Sequence, residues 1–342
     1  MASHRRPKQP SRATVSVLTA AAATAVALSA QTGAAFADPK PTKDQVKAQI
    51  DDLNNQQEAA TEKYNGEKER GDQLRQQAAQ LQDQVARTQQ QVTELQGGLA
   101  AVAGDQYRNG GIDPSVQMML NSDPQSYLAQ ASSMQMATTS ETDALKGLQG
   151  EQRKLDQEKK EAADILAELD RSTQALNQAK TDIQTKLAAA QKLLNSLSAS
   201  DRAALLAEDR ASRSDVRPPL NLPPASGYAA AAVQAALGKL GHSYVWGASG
   251  ANTFDCSGLT QWSYGVAGVS LPRTTYEQVS VGSAVPSLAQ AEPGDLVFYG
   301  SDLHHVAMYI GNGQVVHAPH TGDVVRVANA TSIGSISAIR RP

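Results

Sequence analysis

Apolar residues recur along the first half of the chain in alternating steps of four and three. From Val46 these steps land on Ile50, Leu53, Gln57, Ala60, Tyr64, Glu67, Gly71, Leu74, Ala78, Leu81, Val85, Thr88, Val92, Leu95 and Leu99. The residues between them are mostly Gln and charged, which is the roughly 3.5-residue period of a coiled-coil seam. Gln57, Glu67 and Gly71 weaken the pattern in its middle. A second series of the same length runs from Leu145 to Leu197 through Leu155, Leu166, Leu176, Ile183 and Leu194. The stretch between holds the turn signals Asn109-Gly110-Gly111 and Asp113-Pro114. Two matched helices joined in one chain predict an antiparallel coiled-coil hairpin over residues 41–208. Each arm of about 55 residues would reach about 80 Å. Short helices are expected at 115–120 and 124–131. Met118, Met119, Leu120 and Tyr127 form an apolar cluster there, read as an end plug or as an adaptable partner-binding tip.

The pattern then changes twice. Pro218, Pro219, Pro223 and Pro224 make residues 209–226 an extended, semi-rigid linker. Beyond it, residues 227–342 predict a helix from Tyr228 to Leu240. Short strands are expected at 296–299, 305–310, 314–317 and 324–327, parted by Gly300-Ser301, Gly311-Asn312-Gly313 and Gly322-Asp323. The fold class expected is thus an α-helical rod followed by an α+β domain.

The first residues change what the chemistry means. Arg5, Arg6, Lys8 and Arg12 precede an apolar run from Ala13 to Ala30, and Ala35-Phe36-Ala37 follows. That order is a secretory signal peptide over residues 1–37, and its small-residue site favours cleavage over a membrane anchor. The protein is expected to be secreted, outside the cell or associated with its wall. Basic and acidic residues number 31 and 34, so the charge carries no nucleic-acid footprint.

In an exported chain, cysteines usually pair. Cys256 is the only one here, which leaves a reactive thiol, an intermolecular pair or a buried filler. Thr253 or Asp255 fits as the N-cap of a helix with Cys256 in its first turn, and the field at a helix start favours thiolate. A thiol nucleophile needs a base. His304 and His305 are neighbours on a strand and face opposite ways. If Gly311-Asn312-Gly313 makes a hairpin, His305 and His317 lie on paired strands and can face one side. That supplies a base and a second imidazole to orient it, through a hydrogen bond that fixes the tautomer. Cys256 with His305, His317 and His320 lacks the spacing of a zinc site, and a proline breaks His317-Ala-Pro-His320. No metal is expected, and His304 and His320 read as ordinary histidines.

The segments "YVWGASG", "FDCSGLTQW", "LPRTT", "GDLVFY" and "HHVAMYIGNGQVVHAP" together resemble the NlpC/P60 cysteine peptidases of bacterial cell walls, over residues 227–342. The resemblance implies a papain-like core with Cys256 as nucleophile, His305 as base and His317 as the orienting residue. It implies that Tyr244 assists the oxyanion or the substrate, that Asp255 and Ser257 contact substrate, and that Arg273 belongs with them. It also implies cleavage of D,L peptide bonds in peptidoglycan stem peptides, most often between D-γ-glutamyl and diaminopimelate, with no cofactor. Two other classes use or mimic such a site: an N-acetylmuramoyl-L-alanine amidase or acyltransferase, and a non-catalytic wall-binding adapter. The rod is expected to regulate access, by folding over the cleft or by docking on a membrane or divisome regulator.

Overall fold

The computed structural model describes residues 41–108, 116, 124–214 and 227–342. The expected signal peptide, the 115–120 helix (save for Val116) and most of the proline-rich linker lie outside the described residues.

Helices α1 (Lys43–Arg108) and α2 (Pro124–Ser196) form the hairpin. Both run longer than the sequence period suggested, and the short helix expected at 124–131 is the start of α2. Contacts across the pair fix its direction. Gln56 meets Lys186, Glu67 meets Ser172, and Gln89 meets Lys159. Numbers rise on one arm as they fall on the other, so the arms are antiparallel. Val46, Leu74, Leu81 and Val92 from α1, and Leu155 and Ile183 from α2, are buried along the seam. The polar break at Glu67 and Gly71 is satisfied rather than empty. Ser172 Oγ lies 2.8 Å from the Glu67 carboxylate and 3.0 Å from its backbone carbonyl, which removes the cost of burying an unpaired hydroxyl.

A third helix, α3 (Ala199–Ser214), was not expected and runs into the stretch read as linker. Ser198 Oγ accepts from Asp201 N at its start, a serine N-cap. The Arg202 guanidinium donates to the end carbonyls of α2, Leu194 O and Asn195 O. Lys43 pairs with Glu208 and ties α3 to the root of α1. The sequence signal was faint because α3 follows α2 after only two residues.

The remaining elements are α4 (Gly227–Leu237), α5 (Cys256–Val266), α6 (Thr275–Gln278), β1 (Ser283–Ala284), β2 (Leu296–Tyr299), β3 (His305–Gly311), β4 (Gln314–His317), β5 (Arg326–Asn329) and β6 (Ile336–Arg341). The six strands make one antiparallel sheet in the order β1-β6-β2-β3-β4-β5. β1 and β6 were not anticipated: β1 has two residues, and β6 is only partly buried, so its apolar alternation is weak. The β3–β4 connection is Gly311-Asn312-Gly313, with φ of 102°, 55° and 72°. Three successive left-handed residues are cheap only with glycine and asparagine.

Side chains on β3 alternate as the strand period demands. Val306, Met308 and Ile310 join a core with Leu259 and Tyr264 of α5 and Ala232 and Ala236 of α4. Ala307 and Tyr309 pack on the other face with Val297, Val315 and Ile339. Helix α5 is therefore clamped on the sheet, and its first residue is Cys256. Among the described residues no helix is long and apolar enough to cross a membrane.

The clamp leaves no room at one glycine. A Cβ on Gly258 would stand 2.2 Å from the Ala248 carbonyl oxygen, whereas a Cβ on Gly265 of the same helix meets nothing within 4 Å. Gly258→Ala is expected to destabilise the fold by about 1–3 kcal/mol through overpacking. Gly265→Ala is expected to be neutral or to stabilise by about 0.5–1 kcal/mol. Denaturant midpoints of the two variants check this contrast.

Candidate active site

Asp255 precedes α5 in an extended conformation and accepts from Gly258 N at 2.7 Å, so it is the N-cap. Its carboxylate is fully buried and does four further jobs. It accepts from Gly247 N at 2.9 Å and from Asn65 Nδ2 of α1 at 3.0 Å. It takes both terminal nitrogens of Arg273, at 3.0 and 2.5 Å, the bidentate geometry that makes such pairs strong. Both oxygens are committed, so Asp255 and Arg273 act from beneath the site, holding α5 and the 243–249 turn together.

Cys256 is 2 % exposed. On β3 and β4, His305 Nε2 meets His317 Nδ1 at 2.9 Å, with the donor set by tautomer. The two imidazoles are edge to face, so the expected pair of facing histidines is present. Burial first, then the neighbouring His305, pulls the His317 imidazole well below its ordinary pKa, which keeps it neutral and suited to orienting His305. His304 turns away to Asp302, at 2.5 Å, and His320 Nδ1 meets Thr321 O. Tyr244 is buried, and its hydroxyl has no hydrogen-bond partner among the described residues. Burial, then the neighbouring Cys256, pushes its pKa well up, so it stays a neutral O–H donor.

Sequence reasoning missed the groups that fill the space between the thiol and the base. They come from one face of α1, at the helical spacing Glu58, Glu62, Asn65. Glu58 Oε2 lies 3.0 Å from His305 Nδ1, an off-axis contact rather than an aligned hydrogen bond, with both side chains nearly buried. Glu62 is fully buried. Its Oε1 accepts from Ser257 Oγ at 2.7 Å and from the Cys256 thiol at 3.6 Å, and its Oε2 accepts from Thr275 N at 2.8 Å. Ser257 Oγ in turn accepts from Arg273 Nη1 at 2.8 Å. Next to this turn, Tyr64 meets Trp246 edge to face at 5.0 Å. Gly247 at φ 77° lets Tyr64 close in, since a Cβ there would sit 3.1 Å from its ring. The only hint in the sequence was the polar Gln57 on the seam just before this face.

These carboxylates reverse the electrostatics expected of a thiol at a helix start. Burial, then Glu62, Asp255 and Glu58, push the Cys256 thiol well above its ordinary value. Desolvation and three negative neighbours outweigh the helix field, which is worth only about 0.3–1 kcal/mol when exposed and up to about 2 when partly buried. Glu62 is itself pushed up to about 7, mainly by burial and then by Asp255. Helix α1 also divides the groove. On the Glu58 side lies a cavity of 990 Å³ whose lining includes His305, His317, His320, Arg326, Leu194 and Leu206. On the Asn65 side is a pocket of 120 Å³ lined by Lys68, Glu69, Ser249, Gln261 and Arg273. Among the described residues no cluster of three or more His, Cys, Asp or Glu side chains is placed to hold a metal.

Residues 241–338 match the model of the NlpC/P60 family. The chain is 49 % identical over 85 residues to a probable endopeptidase p60 of Listeria monocytogenes, covering 24 % of this chain and 17 % of that one. It is 45 % identical over 95 residues to a probable endopeptidase of Corynebacterium glutamicum, covering 28 % and 45 %. The chain thus spans less than half the length of these two relatives. Among solved structures, the NlpC/p60 domain of the peptidoglycan hydrolase SagA aligns at 37 % identity over 33 % of this chain and 98 % of that one, with a TM-score of 0.31. With Cys256, His305 and His317 all inside the matched stretch, the chain carries an NlpC/P60 domain.

Proposed function

We propose that this protein is an exported peptidoglycan hydrolase, a cysteine endopeptidase that cuts D,L peptide bonds of wall stem peptides. The bond between D-γ-glutamyl and diaminopimelate is the proposed target. One observation carries the reading: a helix-start cysteine and a hydrogen-bonded His305–His317 pair share one groove of an NlpC/P60 domain. The names of the relatives, probable endopeptidases, support the same class.

The chemistry is acyl transfer. His305 Nε2 is committed to His317, so Nδ1 is the nitrogen left to take the thiol proton. Cys256 thiolate then attacks the amide carbonyl and forms a tetrahedral oxyanion. The Cys256 backbone N–H and the unpartnered Tyr244 hydroxyl are the donors proposed for that oxygen. His305 returns its proton to the departing amine as the C–N bond breaks. Water, deprotonated by the same imidazole, hydrolyses the thioester and regenerates the thiol. Asp255, Ser257 and Arg273 hold the wall of the groove beside the nucleophile. The hairpin is proposed to control access to this groove and to be the part that a membrane or divisome regulator would grip.

Cys256→Ala is expected to abolish release of soluble fragments from purified wall. Undiminished release would overturn the assignment. His317→Ala is expected to keep the fold and to lower kcat by about 10²-fold or more, with the acidic limb of the kcat/KM profile displaced, because His305 loses the partner that fixes its tautomer. Tyr244→Phe keeps the ring and removes the donor. It is expected to lower kcat by about 10²-fold with little change in KM, read from initial rates on a stem-peptide substrate.

A further inference from the structure

We infer that a two-turn stretch of α1, Glu58 to Asn65, is a built-in latch that keeps Cys256 and His305 apart by giving each its own carboxylate. This rests on the peptidase reading above and names how the same site is held off. Proton transfer from thiol to imidazole needs the two groups facing each other. Here His305 Nδ1, the free nitrogen, faces Glu58 at 3.0 Å, and the thiol faces Glu62 at 3.6 Å. Among the described residues no hydrogen bond joins Cys256 to His305. A carboxylate accepts protons in hydrogen bonds and donates none. Glu58 therefore stands in front of the nitrogen that must act as base, where the thiol would have to meet it. Glu62 holds the proton on the sulfur that must lose it.

The latch is specific to this stretch. Asn65 adds a hydrogen bond to Asp255, and Thr275 N and Ser257 Oγ converge on Glu62. Tyr64 covers the Trp246 edge of the groove. Gln57, Glu58, Thr61, Glu62 and Asn65 are all at most 6 % exposed, although every one is polar. A surface helix presents such residues to water unless another surface satisfies them. Gln57 and Thr61 bond each other, and Glu58, Glu62 and Asn65 find their partners in the catalytic groove. The same stretch fills the groove between the 990 Å³ cavity and the 120 Å³ pocket, so a peptide lying across Cys256 and this stretch cannot be there together. Activation is then withdrawal of α1 from the groove, with no covalent change in the catalytic residues.

The full mature chain tests this through two readouts, alkylation of its single thiol by iodoacetamide and release of fragments from purified wall. Glu62→Arg sets a guanidinium against Arg273 and is expected to raise the alkylation rate at least about tenfold, the equivalent of about 1.4 kcal/mol, and to raise wall digestion with it. The double variant Glu58→Gln with Glu62→Gln keeps size and helix preference and is expected to move both readouts in the same direction. Lys63→Ala, on the exposed side of the same stretch, is expected to change neither. Unchanged alkylation in both Glu variants would overturn the latch. Faster alkylation without any wall digestion would uphold the latch and overturn the peptidase reading instead.

Discussion

The Asp255 carboxylate is the constraint on which the rest of the site depends. It is one buried charge with five donors around it: two backbone amides, both ends of Arg273, and Asn65. Left unpaired, a buried carboxylate would cost several kcal/mol. Satisfied, it starts α5 where it does and so fixes the depth of Cys256. It holds the 243–249 turn, which carries Tyr244. It aligns Arg273 so that the guanidinium also reaches Ser257. Through Asn65 it is tied to the hairpin.

Around that charge the molecule is divided by task. The sheet supplies the imidazole pair, because β3 and β4 turn through three left-handed residues and bring His305 and His317 within hydrogen-bond reach. Helix α5 supplies the thiol. The hairpin supplies two carboxylates, the Asn65 amide and the Tyr64 ring. With α1 in place the thiol is buried, surrounded by carboxylates and shifted toward its protonated form. The same cysteine with water in place of Glu58 and Glu62 would keep the helix field and lose two of the three negative neighbours.

Most of the NlpC/P60 domain was legible in the sequence, for local reasons. Cap, thiol and apolar face of α5 fall within a few residues, and the strand alternation placed His304 and His305 on opposite sides before any coordinates. β6 was not legible because its burial comes from β1 and β2, far away in sequence, rather than from its own alternation. α3 was masked by its closeness to α2. The placement of Glu58 and Glu62 was out of reach for a different reason. On a helix dense in charge, two glutamates four residues apart look like any solvated face. Only the groove more than 190 positions later in the chain makes them different, as the Glu62–Ser257 contact does. The seam breaks at Glu67 and Gly71 are explained by Ser172 across the hairpin and not by the groove.

The central claim is that this groove, once open, cuts one type of bond in the wall. The direct measurement is mass spectrometry of purified wall digested with the mature chain carrying Glu62→Arg, compared with the same variant lacking Cys256. The account predicts fragments with a new amino terminus on diaminopimelate and a new free carboxyl on D-glutamate, absent without the thiol. Fragments in which lactyl and L-alanyl ends have been freed instead, as an amidase would leave them, would contradict it.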